Sequence, residues 1–360
     1  MIKYKYSTEV NANFARTLKS RVNHYFSENN IDRGANTQMV VKTLTALSIY
    51  LIPFIGMLLF DVQSIPLLFL LWAIMGFGKA FIGMAVMHDS LHGAYSRKKF
   101  INRFIGWSTW LLGVDSKNWQ IQHNVLHHSF TNIEHIDEDI EPRFIFRFSP
   151  NQPWKPIQKF QHLYALFFYG FSTLIWVTVK DFIKAFKYKK ENLIKPGRPF
   201  QWHIAQIILR KIIYFSLFLV LPSLWLSYPI WMVALMFLTM HFVAGFILTF
   251  TFQCAHVMET SEFIDIEEKV VPENRLVHQL KTTANFGMNS RLLFWFTGGL
   301  NHQIEHHLFP HICHIHYRKI AGIVRTTAAE FDIPYHTQPS LAQAIYQHLN
   351  MLKALGTGRI

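Results

Sequence analysis

The chain has 360 residues, of which 51% are hydrophobic, 16% aromatic and only 16% charged, with a formal net charge of +13. That balance points away from a soluble enzyme and toward an all-α integral membrane protein. Cys254 and Cys313 are the only cysteines, too few for a disulfide framework, and both are expected as packing residues on the reducing side of the membrane.

Residues 1–38 form an N-terminal segment without a short apolar core and small-residue cleavage site, so no cleaved signal peptide is expected. Residues 39–60 carry one charge near their start, and Ile65–Met87 carry only Lys79. At about 1.5 Å per residue each run can cross a hydrocarbon core of roughly 30 Å. They make a first transmembrane hairpin over residues 39–92, in which Lys79 snorkels toward the headgroups. Residues 93–210 follow as a cytoplasmic and interfacial region, where Phe104–Val114 is too short to cross. His162–Val179 is read as interfacial, because a span there would place the last histidines on the wrong face. A second hairpin covers residues 211–256, with spans near 211–226 and 229–256, and residues 257–360 complete a cytoplasmic helical cap. The expected fold is therefore four transmembrane helices in two hairpins beneath a cap.

The turns inside the hairpins, Asp61–Ser64 and Leu226–Pro229, contain no Lys or Arg. Arg97, Lys98, Lys99, Lys180, Lys184, Lys187, Lys189, Lys190, Arg210 and Lys211 instead fall on the connecting segments. The positive-inside rule then places those segments and both termini in the cytoplasm. The one-sided charge serves either adhesion to anionic headgroups or the docking of an acidic redox partner or phosphorylated substrate. No nucleic-acid partner is expected.

Three histidine clusters carry the chemistry: His88 and His92; His123, His127 and His128; His306 and His307. His88 and His92 share a helix face at i and i+4, as a bidentate metal clip requires, and His123 and His127 repeat the spacing. His128, about 100° further round an α-helix, points elsewhere and can serve a second ion. The helix after Pro229, 28 residues and about 42 Å long, exceeds what the bilayer needs, so its end at His256 projects into the cytoplasm beside the first cluster. His241 lies about 22 Å from His256 and is expected to hydrogen-bond within the bundle. His311, His314 and His316, beyond the helix-breaking Pro310, read as packing or surface residues. Asp89 is either an acceptor for an imidazole N–H or an exposed helix residue, and Asp137-Glu138-Asp139 reads as a solvated acidic loop.

Neutral imidazole suits zinc, copper, iron and nickel. Structural zinc wants four ligands, often cysteine, whereas this supply fits two ions, each with an open position. Beside a hydrocarbon phase the natural chemistry of such a pair is oxygen activation, since an unactivated C–H bond offers nothing to a general base.

The pattern His88-x-x-x-His92, then Trp119-x-x-x-His123-Asn-x-x-His127-His128 with Thr131-Asn132, then Gly298-Gly-Leu-Asn-x-Gln303-Ile-Glu-His306-His307-Leu-Phe-Pro310, resembles the membrane fatty acid desaturases. The likeness runs from the first span to the C-terminus. It implies a four-span enzyme with two iron ions that uses O2 and two electrons to remove two hydrogens from an acyl chain, leaving a cis double bond. It also implies the ligand set His88, His92, His123, His127, His128, His256, His306 and His307. Gln303 resembles the front-end branch, whose members act between an existing double bond and the carboxyl end. On a helix Gln303 reaches both later histidines, at i−3 and i−4, whereas His302 reaches only His306, so Gln303 is expected in the metal site.

The sequence contains no His-Pro-Gly-Gly haem motif of the fused cytochrome b5 found in many eukaryotic front-end enzymes. Electrons are therefore expected from a separate ferredoxin or cytochrome b5, as in bacterial members, whose inner membrane is the implied location. The acyl group can come on coenzyme A, a carrier protein or a lipid. The competing readings are a hydroxylase of the same His-rich class and a metal transporter or sensor. A transporter would place its ligands within the spans.

Overall fold

The computed structural model describes residues 4–141, 145–194, 197, 199–265, 270–358 and 360. Its main helices are α1 (Ala12–Glu28), α2 (Thr37–Leu59), α3 (Ile65–Leu91), α4 (Gln120–His127), α5 (Pro156–Lys190), α6 (Phe200–Trp225), α7 (Ile230–His256), α8 (Arg275–Thr282), α9 (Gln303–Leu308), α10 (Tyr317–Glu330) and α11 (Leu341–Thr357). Five of them, α2, α3, α5, α6 and α7, are long and apolar enough to cross a membrane.

The starts of α2 and α3 are set by capping. Asn36 accepts from the Met39 N–H and Ser64 from the Leu67 N–H, which satisfies donors that a helix leaves open at its first turn. α3 is the central post and packs against both α2 and α7. Small residues allow the approach: a Cβ at Gly78 would lie 2.7 Å from the backbone N of Tyr50, and one at Gly76 would lie 2.5 Å from the carbonyl of Met240. Tyr50, Trp72, Phe81, Tyr214, Phe218 and Met240 are buried between these helices. Leu44, Ile52, Leu70, Leu224 and Ile230 point outward and are exposed, as lipid-facing positions require.

His162–Val179 lies inside α5, a 35-residue helical stretch that packs along α7, and elsewhere two sequence expectations change. No charged residue interrupts Gln161–Val179, so nothing local ends the helix. α6 begins at Phe200 rather than near residue 211 and takes in Arg210 and Lys211, which were placed on a connecting segment. Lys211 is tolerated there because its ammonium donates to Asp181 at 2.5 Å and to the Gly113 carbonyl at 2.7 Å. Lys79 does not snorkel. It is buried, donating to the Leu112 carbonyl at 2.7 Å and the Tyr214 hydroxyl at 3.0 Å, so the bundle supplies the partners that headgroups would have provided.

The cap is held by its own apolar core and two short parallel ladders. Phe14 and Leu18 of α1 pack with Leu276 and Leu280 of α8, Ile304 and Leu308 of α9 and Tyr317 of α10. β1 (Lys5–Tyr6) pairs with β2 (Val270–Val271), and β3 (Ala284–Phe286) with β4 (His336–Gln338) in the register Ala284 to His336. The second ladder ties the strand before α9 to the chain leading into α11, so the third histidine cluster sits on a fixed base.

Candidate metal centre

α3 is regular to Phe81 and π-helical over Ile82–Met87, and its last turn carries His88 with His92 immediately beyond. α4 is π-helical throughout and carries His123 and His127. π segments concentrate at functional sites because their i→i+5 bonds alter which residues share a face. The bond from the His128 N–H to the His123 carbonyl, at 2.9 Å, has that spacing. It corrects one expectation: His128 does not point away from His123, since their Nε2 atoms stand 3.2 Å apart. α7 ends at His256, as its length predicted. α9 brings His306 and His307, and the turn before it lies against α3: Gly298, at φ 61°, would put a Cβ 2.5 Å from the Met84 carbonyl.

These elements bring all eight expected histidines together. His88, His92, His123 and His306 form one group, His127, His256 and His307 a second, and His128 joins His306 and His307 between them; within each group the candidate ligand atoms lie within 4.8 Å of one another. His128 and His307 stack with ring centroids 4.2 Å apart, and His127 and His256 meet edge-to-face at 4.7 Å.

The nitrogen inventory fits a metal. Among the described residues, the buried Nε2 atoms of His92, His127, His256, His306 and His307 have no hydrogen-bond partner. The Nε2 of His123 faces only those of His88, at 3.1 Å, and His128, at 3.2 Å. Buried polar atoms are otherwise satisfied almost everywhere in proteins, and a cation is the partner this set lacks. Burial, reinforced by the neighbouring imidazoles, holds His123, His128, His306 and His307 well below the ordinary histidine range, hence in the neutral form that ligates.

The opposite ring edges are anchored. His127 Nδ1 lies 3.1 Å from both oxygens of Asp137, His256 Nδ1 3.3 Å from the Thr282 carbonyl, His306 Nδ1 3.3 Å from the Tyr317 hydroxyl and His307 Nδ1 2.7 Å from Gln279 Oε1. Such contacts orient imidazoles toward a metal. Asp137 therefore overturns the reading of Asp137-Glu138-Asp139 as solvated: Asp137 is buried on His127, and Glu138 is buried between Lys184, Lys187 and Tyr188. Periodicity carries no signal for these contacts, because the chain returns through left-handed residues at Asn132 and His135.

Gln303 is fully buried in the first turn of α9, and neither its Oε1 nor its Nε2 has a partner. The His302 ring rests edge-on against Phe294 at 5.2 Å and belongs to none of the convergent groups. His241 bonds within the bundle as expected, to Tyr214 at 2.9 Å and Thr173 at 3.0 Å. His314, expected as packing or surface, is buried with its Nδ1 2.9 Å from Asp89.

A narrow apolar cavity abuts His88, lined by Met87, Leu112, Trp119, Val177, Leu248 and Phe252. An unbranched hydrocarbon chain suits such walls.

Comparison with known proteins agrees with this geometry. The chain is 33% identical over 346 residues to an sn-1 linoleoyl-lipid 6-desaturase of Synechocystis sp., covering 95% of both chains. It is 31% identical over 342 residues to the sn-1 linoleoyl-lipid 6-desaturase of Arthrospira platensis, covering 95% of this chain and 92% of that one. It is also 33% identical over 359 residues to an acyl-lipid (8-3)-desaturase of Physcomitrium patens, covering 98% of this chain and 73% of that one. The fatty acid desaturase profile matches residues 64–339, a stretch that begins at the cap of α3 and contains all three histidine clusters. The eight converging imidazoles thus all lie within the matched stretch, and this chain is an oxidoreductase that belongs to the fatty acid desaturase family.

Proposed function

We propose that this enzyme is a front-end acyl-lipid desaturase, which inserts a cis double bond on the carboxyl side of an existing one. The observation that carries the reading is the convergence of eight imidazoles, seven buried and that of His92 half-buried, beside an apolar cavity. His88, His92, His123, His127, His128, His256, His306 and His307 hold two iron ions, with Gln303 as a further ligand or water-holder. When bound, the iron pair would supply, with O2, two electrons and two protons, the oxidising power to take two hydrogens from an unactivated acyl chain, and both oxygen atoms leave as water.

The chain's own residues arrange that reaction. Asp137, Tyr317, Gln279 and the Thr282 carbonyl fix the imidazole edges, so the donor set is organised beforehand. Met87, Leu112, Trp119 and Phe252 hold the acyl chain against His88 and keep water from it. The named relatives act on linoleoyl lipids and other acyl-lipids, and we assign this chain an acyl-lipid substrate in place of coenzyme A or carrier-protein esters. Electrons come from a separate ferredoxin or cytochrome b5.

Four spans in two hairpins fit the site better than five. α3 and α7 both deliver their C-terminal ends to one cluster, so the chain between them crosses an odd number of times. α6 provides one crossing, and α5 then lies along the bundle without adding another. The histidine boxes, the cap and both termini face the cytoplasm of a bacterial inner membrane, where the connecting segments carry their Lys and Arg. The division into residues 1–38, 39–92, 93–199, 200–256 and 257–360 follows from the same reading, with the second hairpin beginning at the start of α6.

The test is expression in a host fed linoleate with a matched ferredoxin system, followed by separation of lipid classes and location of double bonds by derivatised mass spectrometry. A new double bond nearer the carboxyl end in membrane lipids is expected. Hydroxylated chains would select oxygen insertion instead, and product confined to the coenzyme A pool would overturn the lipid assignment.

A further inference from the structure

Lys42, the one charge in α2, is fully buried inside a membrane-spanning helix. Such a cation is costly and persists only with partners. Its ammonium lies 2.8 Å from His314 Nε2 and over the rings of Trp295, at 4.8 Å, and Phe294, at 5.3 Å. The other edge of His314 faces Asp89, with Nδ1 2.9 Å and the backbone N 3.1 Å from Oδ2. The second oxygen of Asp89 lies 3.7 Å from Nδ1 of His88, and all four side chains are buried. Two hydrogen bonds, Lys42 to His314 and His314 to Asp89, thus run from the first membrane helix to a carboxylate whose other oxygen stands 3.7 Å from a His88 Nδ1 that has no hydrogen-bond partner of its own among the described residues.

Chemistry fixes the sense of this line. The Lys42 ammonium can only donate, so His314 Nε2 accepts, His314 Nδ1 carries the proton, and Asp89 accepts. Both imidazole nitrogens are therefore engaged, and although Asp89, Cys313 and His314 lie close enough to hold an ion, His314 has no lone pair to offer one. The aromatic pair closes the outer end, so the line stops at Lys42. A buried carboxylate held by a fixed cation at one end is left to act on His88 at the other.

We propose that Lys42 and His314 are positioning residues of the metal centre, acting through Asp89 to hold His88 with Nε2 toward the iron. Metal-bound imidazoles are oriented by carboxylates in this way, and loss of such partners weakens metal binding by roughly 10–100-fold. The inference rests on the metal site proposed above.

The test uses the full chain purified in nanodiscs and loaded with ferrous iron, and reads iron per chain and the rate of iron loss to a chelator. Lys42→Met removes the cation at similar size. His314→Gln keeps an acceptor for Lys42 but removes the ring donor to Asp89. Each single variant should lose iron about 10–100-fold faster than wild type. The double variant should be no faster than the worse single one, because the residues act in one line. Lys42→Arg should recover part of the loss.

Iron loss at the wild-type rate in either single variant overturns the proposal. So do additive effects in the double variant, which mark two independent packing defects. Should Lys42→Met fail to insert, His314→Gln carries the test alone under the same criterion. Wild-type protein that takes up no iron would instead bring down the metal reading itself, and this inference with it.

Discussion

His127 and Asp137 are ten residues apart in sequence and joined at the site, with Nδ1 of the imidazole 3.1 Å from each carboxylate oxygen. Asp137 is itself fixed, since it accepts from the backbone N–H groups of Asn132 at 2.8 Å and Asp139 at 3.0 Å. Burial pushes the His127 pKa down, but the carboxylates of Asp137 and Asp139 outweigh it and hold the imidazole up to about 9. The ring is thereby given a defined tautomer and a basic outward nitrogen, which a metal can claim in place of a proton.

Removing that partner should cost metal before it costs structure. Asp137→Asn keeps the loop's size but halves its acceptor capacity and removes its charge, and is expected to lower iron affinity by roughly 10–100-fold. Iron titration into apo-protein in nanodiscs measures it; affinity equal to wild type would reject the role given to Asp137.

Histidines inside and outside the centre should separate cleanly. His127→Ala and His306→Ala are expected to abolish desaturation while membrane insertion is retained, because each removes one ligand edge. His241→Ala should leave iron content unchanged and cost about 1 kcal/mol of stability through its lost partners Tyr214 and Thr173. Iron analysis alongside thermal unfolding distinguishes the two classes, and full product from either box variant would contradict the ligand assignment.

Gln303 gives opposite signs for structure and function. A buried amide with neither polar atom paired destabilises a protein by about 1–3 kcal/mol relative to an apolar side chain of like shape. Gln303→Leu should therefore raise the unfolding midpoint of the metal-free protein while lowering turnover and iron retention. His302→Ala should spare iron retention. A Gln303→Leu enzyme with unchanged turnover would leave the amide without a role at the centre.

Acid sensitivity has a specific source in the cap. His348 on α11 is buried, bonded to Tyr169 and the Val257 carbonyl at 2.9 Å each, and burial pushes its pKa down to about 4. A depressed pKa means that the folded state favours the neutral ring. Its contribution is full above about pH 6.5, the unfolded value, and is lost as pH falls toward 4, by roughly 1.4 kcal/mol per pH unit. His348→Gln, which cannot take up the proton, should narrow the gap between unfolding midpoints at pH 7.5 and pH 5. An unchanged gap would move the acid sensitivity elsewhere.

Much of this was legible in the sequence because ligands and spans are local signals. His88, His92, His123, His127, His256, His306 and His307 announce themselves by spacing or by helix length, and the fold brings them close together. The position of His128 was not legible, since a π-turn and an α-turn look alike in a run of eight residues. The roles of Asp137 and His314 were hidden for another reason: their partners lie ten and 225 residues away, and no periodicity encodes a contact made by chain return. Lys79 and Lys211 misled because a charge in an apolar run is cheap at a headgroup and equally cheap beside Tyr214 or Asp181, and composition cannot tell the two apart.

α3 and α7 each carry metal-site residues at one tip and stand in hydrocarbon along the rest of their length. Their backbones approach closely at Gly76 and Met240, well below those tips, within a contact that runs along both helices. The relative placing of His88 and His256 is therefore set by packing made some distance below the site. A substitution that enlarges Gly76 would be felt at the metal centre as well as at the contact itself, because the same two helices end there.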